Sequence, residues 1–323
     1  MHVNARLKKI LLVKTSSLGD VIHAMPAVTD LKRLRPDAHL VWVVEESLTP
    51  VVSLHPQVDE VIPVAMRRWR RAWWQRPIRA EMSGVRRRLR ATTYDAILDA
   101  QGLLKSALIA RAARGVRHGL DFHSAREPLA LFYRHVYRIS WDIHAVERTR
   151  LFFARALRYD VPRELSYGIH AEPRRWPWLN AEGYVLLLHA TSGDYKLWSE
   201  DNWRALGSAL NARGLTCVLP FGNAAEGERS RRLAGQMSDA VVPPALGLSE
   251  LASLIAGARA VVGVDTGLTH LAAALGVPTV GIYLGTDPAA TGIYGAARAI
   301  NLGAIGRPPA ADDVIAAALK LIG

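Results

Sequence analysis

The sequence predicts an α/β fold with two doubly wound units in one chain, joined by a linker. Three observations predict it. Short apolar, β-branched runs alternate with helix-period segments through both halves, as strands and crossover helices of a parallel sheet do. Pro162, Pro173 and Pro177 mark a proline-bearing connection between the halves. Residues 261–283 read in full as strand, turn, helix, turn, strand, a βαβ unit. At 323 residues the chain is long enough for two such cores, expected over 1–165 and 178–311.

In the first half, 10–13 is an apolar strand and Lys14 follows it at once. A small polar loop then leads through Asp20 into a helix over 21–34, with Pro26 breaking its first turns and Pro36 beyond its end. Strands are expected at 39–44 and 94–99, helices at 103–113 and 144–157, and a short strand and loop at 115–119. In doubly wound folds, ligands bind beyond the carboxyl ends of the strands. Asp20 falls there. It could face the ligand as a base, or it could cap the helix with Ser16 and Ser17; caps are commoner, so position alone favours a cap.

Residues 67–90 hold ten arginines, one acid (Glu81) and no lysine. Arginine gives planar, bidentate recognition of phosphate and carboxylate, which lysine does not. Trp69, Trp73 and Trp74 are interleaved and would suit a membrane interface or a stacked base. A solvated basic helix face is the plain alternative. The density of arginine favours an anionic partner. Residues 1–165 carry 29 basic and 16 acidic groups, and residues 166–323 carry 12 and 13, so the net charge of +12 lies in the first half.

The second half repeats the pattern. Strands are expected at 184–189, 214–221, 261–264 and 279–283. Helices are expected at 201–212 with an Asp cap, 228–238, 250–256 with Ser249 as cap, 268–275 and 312–322. Asp265-Thr266-Gly267 turns one strand into a helix whose first N–H groups and dipole favour an anion, and His270 lies one turn on. An ordinary capped turn with a surface histidine would read the same way.

Several classes are weak. There is no phosphate-binding G-x-x-x-x-G-K-[ST], no clean G-x-G-x-x-G and no cysteine–histidine metal pattern. No D-x-D pair is present to hold a nucleotide diphosphate through a metal, so its charge would be met by lysine, helix ends and hydroxyls. The one cysteine, Cys217, lies in an apolar strand pattern and fits a reducing cytoplasm. No transmembrane run or signal-peptide core is evident.

Five segments, taken in order, carry a resemblance over nearly the whole chain: Lys14-Thr-Ser-Ser-Leu-Gly-Asp-Val-Ile-His23, Arg67-Arg-Trp-Arg70, Asp99-Ala-Gln-Gly102, His144-Ala-Val-Glu-Arg148 and Val264-Asp-Thr-Gly-Leu-Thr-His270. Together they resemble the heptosyltransferase I members of glycosyltransferase family nine, the ADP-heptose:lipopolysaccharide heptosyltransferases. The resemblance implies the GT-B fold, two Rossmann-like domains facing across a cleft. It also implies inverting, metal-free transfer of L-glycero-D-manno-heptose from ADP-heptose to the inner Kdo of Kdo2-lipid A. No cofactor is expected.

By position, the resemblance makes Asp20 the catalytic base. It makes Lys196, Thr191 and Ser192 donor ligands, with Glu226 at the ribose and Leu246 near the adenine. The main donor turn is Asp265, Thr266, Gly267 and His270. Ser17, Gly19, Arg67, Arg68, Arg70, Arg71, Arg126 and Arg148 fall on the acceptor side. The chain departs from the expected pattern at Tyr283-Leu-Gly-Thr-Asp-Pro288, where Tyr-Gly-Pro-Thr-Asp-Pro is usual, and at Leu246, where methionine is usual. GT-B chains often return their last helix to the first domain, so 312–322 is a candidate to pack there. The expected setting is cytoplasmic, peripheral on the anionic inner face of the inner membrane. Two alternatives remain: a later-step heptosyltransferase, or an arginine- and tryptophan-rich nucleic-acid-binding protein. The second leaves the donor-like loops unexplained.

Overall fold

The structure is a computed structural model that describes residues 7–191 and 193–323. It divides into two compact units, one ending at Gly168 and the other starting at Ile169, inside the proline-bearing connection.

The first unit runs β1 (Lys9–Val13), α1 (Leu18–Leu34), β2 (His39–Glu45), α2 (Thr49–Val52), β3 (Glu60–Val64), α3 (Met66–Ala72) and α4 (Arg76–Arg90). It continues with β4 (Thr93–Asp99), α5 (Leu104–Ala112), β5 (Arg114–Leu120), β6 (His135–Tyr137) and α6 (Ala145–Leu157). Its six strands form one sheet in the order β3-β2-β1-β4-β5-β6, paired in parallel throughout. This is the strand order of a dinucleotide-binding doubly wound fold. The central strands are buried on both faces, so their sequences run apolar without alternation.

α1 begins at Leu18, three residues earlier than the sequence suggests. Asp20 accepts a hydrogen bond from the Ser17 backbone N–H and closes the helix start. Pro26 lies inside the helix without ending it. It removes one N–H from a 17-residue helix whose apolar face is otherwise packed, and that packing keeps the helix whole.

The second unit runs β7 (Tyr184–Leu188), α7 (Glu200–Asn211), β8 (Thr216–Val218), α8 (Ala224–Ala234), β9 (Ala240–Val241) and α9 (Leu248–Ala256). Then come β10 (Ala260–Val264), α10 (Gly267–Ala274), β11 (Thr279–Tyr283), α11 (Pro288–Thr291), β12 (Ala299–Gly303) and α12 (Ala311–Ile322). The sheet order is β12-β11-β10-β7-β8-β9, the same arrangement again. Its core packs Trp198 and Trp203 edge to face at 5.1 Å, with Leu206, Val262 and Ile282 around them.

Four expectations need correction. The last helix belongs to the second unit: α12 packs on α7, β10 and β11, and its Val314, Ala317 and Ala318 join that core. The cap of α7 is Ser199, which accepts from the Asn202 N–H, and α9 is capped by Gly247 with Glu250 bonding back. α8 begins at Ala224 behind an Asn223 cap, which draws Glu226 out of the expected loop into a first helical turn. Among the described residues, no helix is long and apolar enough to cross a membrane.

A buried ion pair fastens α6 to α1. Arg150 donates to Asp30 at 2.7 and 3.3 Å, to Glu147 at 2.8 Å, and to the carbonyls of Pro162 and Glu164 at 2.7 and 3.1 Å. Both Arg150 and Asp30 are nearly inaccessible. Without Asp30, Arg150 keeps Glu147 and two carbonyls, but removing Arg150 strands the Asp30 carboxylate in the core. Arg150→Ala should therefore cost the first unit about 3–5 kcal/mol. Arg33→Ala, which breaks an exposed pair with Glu164, should cost about 0–1 kcal/mol. Urea midpoints decide this, and equal shifts in the two variants would refute it.

Candidate functional site

Each sheet reverses strand order at one place. In the first it lies between β1 and β4, and the loops leaving those strands hold the polar residues. Val13 pairs with Asp99 in register, so Lys14 and Ala100 emerge side by side. Lys14 Nζ donates to the Ala100 carbonyl at 3.0 Å and lies 3.5 Å from Asp20 Oδ1. Arg126 approaches the same oxygen at 3.6 Å. The other oxygen, Oδ2, accepts from the Ser17 N–H and hydroxyl, both at 3.0 Å. Burial would raise this carboxyl, but Lys14, Arg126, the Ser17 N–H and His23 together hold it well below the usual carboxylate range. Burial in turn pushes the Lys14 ammonium below its ordinary value, against the pull of Asp20.

The loop itself is fastened from β4's side. Gln101 Oε1 accepts from the N–H groups of Thr15 and Ser16 at 3.0 and 3.1 Å, and Lys105 Nζ donates to the Ser16 hydroxyl at 3.0 Å. Asp99 accepts from Gln101 and Gly102 N–H and from the Tyr133 hydroxyl at 2.8 Å, which shapes the turn after β4. Gly102 has φ +66°, a left-handed conformation that glycine adopts without strain. Arg148 stacks 3.4 Å above the Trp141 ring and donates to the Ser124 carbonyl at 2.9 Å. Burial, with the charge of Arg126, pushes it down to about 10.

In the second sheet the reversal lies between β7 and β10. Gly263 pairs with Leu188, so the loops after these strands also adjoin. A Cβ at Gly263 would meet Thr269 Oγ1 at 2.2 Å, so only glycine lets α10 close onto its strand. Asp265 is the hub. Its Oδ2 accepts from Lys196 Nζ and the Thr286 hydroxyl, both at 2.7 Å. Its Oδ1 lies 3.4 Å from His270 Nε2, and its carbonyl accepts from the Thr191 hydroxyl at 2.9 Å. Burial would raise the Asp265 carboxyl. The bonds from His270, Lys196 and Thr286 overcome it and hold the group well below the usual range. Thr266 is the N-cap of α10 but makes no side-chain capping bond, and Gly267 is the first helical residue. The first-turn N–H groups and the helix dipole make this an anion-favouring end. A Cβ at Gly285 would strike the Tyr195 ring at 2.4 Å, so this glycine lets the loop bearing Lys196 lie close.

The residues picked from the sequence therefore divide. Asp20, Ser17 and Arg126 come together with Lys14; Gly19 is in the first turn of α1. Thr191, Lys196, Asp265 and His270 come together with Thr286. Ser192 lies outside the described residues. Glu226 accepts from Asn223 Nδ2 and the Gly222 N–H, both at 2.7 Å, bonds that shape its own helix start. Leu246 is half-buried in the loop leading to α9.

On α3, Arg68 is clamped by Glu46 at 2.9 Å and Glu81 at 2.7 Å, so its charge is already matched, unlike that of exposed Arg67, Arg70 and Arg71. Sequence reasoning missed the roles of Lys14, Lys105 and Thr286. A lysine directly after a buried strand was a usable signal for the first. The other two depend on loops brought together only by folding. Among the described residues, no group of three His, Cys, Asp or Glu side chains is placed to hold a metal ion.

Comparison with known proteins identifies the family and the fold. The profile of glycosyltransferase family 9 (heptosyltransferase) matches residues 82–317. Lipopolysaccharide heptosyltransferase 1 of Salmonella typhimurium is 47% identical over 290 residues, 89% of this chain and 92% of the relative. The solved structure of E. coli heptosyltransferase WaaC with ADP superposes with a TM-score of 0.87 at 44% identity, covering 95% of this chain and 97% of the other. The same enzyme with ADP-2-deoxy-2-fluoro heptose gives 0.83 at 43% identity, covering 97% and 98%. The fold is thus the GT-B type built from Rossmann-like units. The chain belongs to glycosyltransferase family 9, the heptosyltransferases, and is a glycosyltransferase.

Proposed function

We propose that the protein transfers L-glycero-D-manno-heptose from ADP-heptose to the inner Kdo of Kdo2-lipid A, by inversion and without a metal. The observation that carries this reading is the Asp265 hub at the start of α10, where Lys196, Thr191 and a helix N-terminus meet. A diphosphate needs such a set: one mobile cation, hydroxyls and oriented N–H groups. Asp265 holds the Lys196 ammonium in place, and an arriving diphosphate shares it. A relative that acts as a lipopolysaccharide heptosyltransferase supports the acceptor class, and the related structure with ADP-2-deoxy-2-fluoro heptose supports the donor.

The mechanism is a single displacement. A Kdo hydroxyl attacks the anomeric carbon, the C–O bond to ADP breaks, and Asp20 takes the hydroxyl proton. A carboxylate held so low is a weak base toward a free alcohol. The hydroxyl becomes strongly acidic only as its oxygen bonds to carbon, so its proton passes to Asp20 late in the displacement. The compensating advantage is that Asp20 is always ionised. Lys196 and the first turn of α10 stabilise the charge that grows on the departing diphosphate. Arg126, 3.6 Å from Asp20, and Arg148, which lies near Arg126, would meet the carboxylates of the acceptor. The enzyme works as a peripheral protein on the inner face of the inner membrane, where its basic first unit meets anionic lipid.

The deciding experiment is heptose transfer from ADP-L-glycero-β-D-manno-heptose to Kdo2-lipid A in EDTA. Wild type should form the α-linked product. Asp20→Ala should lose roughly 10²–10⁴-fold in kcat while still binding ADP. No product from folded wild type would sink the donor–acceptor assignment, and near-normal turnover by Asp20→Ala would remove Asp20 as the base. Because the Asp20 carboxyl lies well below its ordinary value, it stays ionised throughout pH 5–8 and gives kcat/KM no acid limb there. A limb in that range that disappears in the residual activity of Asp20→Ala would contradict the lowered carboxyl. Binding to vesicles rich in anionic lipid should weaken as salt rises from 50 to 500 mM. Salt-independent binding would exclude a mainly electrostatic contact.

A further inference from the structure

α3, α4 and α5 enclose a groove of about 990 Å³ beside β3. Its walls are apolar: Trp69, Val85, Leu89 and Ile109 belong to the first unit's core or pack against it, and Met82 and Leu108 line the lip. Leu108 and Trp73 leave 52% and 61% of their surfaces exposed, an unusual cost unless something covers them. The rim is cationic. Arg67, Arg70, Arg79, Arg86 and Lys105 line it, and no carboxylate does. Among the described residues, none of these four arginines has an ion-pair partner, whereas Arg68 and Arg88 nearby are matched by Glu46, Glu81 and Glu60. Lys105 ties the groove to the reaction side, since its ammonium bonds Ser16 in the loop that leads to Asp20.

An occupant must therefore be apolar along its length and anionic at its head. A nucleic acid satisfies the rim but wastes the floor. A plain apolar peptide satisfies the floor and leaves four arginines facing each other unneutralised.

We propose that this groove holds a fatty acyl chain of the lipid-linked acceptor, with a phosphate of the same molecule on the rim arginines. This rests on the reading that the acceptor is a phosphorylated glycolipid. The groove thereby places the acceptor as well as attracting it. With the acyl chain in the groove and the phosphate on the rim, the sugar end is directed along Lys105 toward the Asp20 loop.

The test uses the full chain and three probes in calorimetry: monomeric lysophosphatidic acid, glycerol 3-phosphate, and lysophosphatidylcholine. The acylated anion should bind at least about tenfold more tightly than either of the others, because only it fills both floor and rim. Leu108→Glu, at an exposed position, should lower that affinity at least about tenfold, with an unchanged urea midpoint of the first unit as the check on folding. The same variant should raise the ratio of KM for acylated to fully deacylated acceptor about tenfold.

Equal binding of the two phosphates would reduce the groove to a phosphate site and overturn the proposal. So would equal binding of the two lysolipids, or an unchanged affinity in Leu108→Glu. If wild type transfers heptose to neither acceptor, the proposed function fails, and the three-probe comparison still decides the groove.

Discussion

The two places where a parallel sheet reverses its strand order govern both candidate sites in this protein. β1 and β4 send their helices to opposite faces, as do β7 and β10, so the backbone parts just beyond each pair. Loops leaving the strand ends there can turn polar side chains toward a ligand. The register does the rest. Val13 opposite Asp99 sets Lys14 against Ala100, and Gly263 opposite Leu188 brings Asp265 near the loop that carries Thr191 and Lys196. The same physical arrangement is thus used twice, once around Asp20 and once around Asp265.

Both carboxylates are kept ionised against burial, yet by different means suited to different tasks. Around Asp20 the opposing charges are two cations at 3.5 and 3.6 Å, beyond tight contact, and the short bonds come from Ser17. One oxygen is left beside charges that an anionic substrate can also use. Around Asp265 the contacts are short and bonding, from Lys196 and Thr286 at 2.7 Å. That oxygen is saturated, which makes Asp265 a fixed orienting group and Lys196 the movable one. With Oδ2 saturated and Oδ1 beside the His270 ring, Asp265 has little room to take a proton, so the contrast favours Asp20 as the base and Asp265 as a holder.

Legibility followed burial. Most of the eight central strands were readable because burial on both faces imposes apolar runs such as Ile10-Leu-Leu-Val13 and Val261-Val-Gly-Val264; β5 is polar and half-exposed, and reads only as a short strand and loop. The four strands that escaped notice, β3, β6, β9 and β12, are the four sheet edges. β3 carries Pro63, which an edge tolerates; β6 is short and polar; β9 has two residues. Site residues were legible where one motif holds them, as with Asp265 to His270. Thr286 and Lys105 were not, because their partners lie 21 and 89 positions away. Glu226 is a different case: a local capping pattern, Asn223 with Glu226 three residues on, also accounts for the residue.

The arginine segment shows why charge counts alone underdetermine a site. Ten arginines between 67 and 90 look alike in the sequence. Folding divides them: Arg68 and Arg88 are matched by carboxylates on neighbouring elements, while Arg67, Arg70, Arg79 and Arg86 converge on one apolar groove. Self-repulsion among four unpaired guanidinium groups opposes folding, so the arrangement costs stability in the free protein. The second unit shows no such excess, at 12 basic and 13 acidic groups. Under the proposed function the difference follows from the size of each ligand. A diphosphate is met by one lysine, a few hydroxyls and a helix end, whereas a polyanion embedded in a membrane needs charge spread over a surface. A merely sticky basic surface would not need an apolar floor beneath its arginines; a surface that has to select one lipid and present its sugar would.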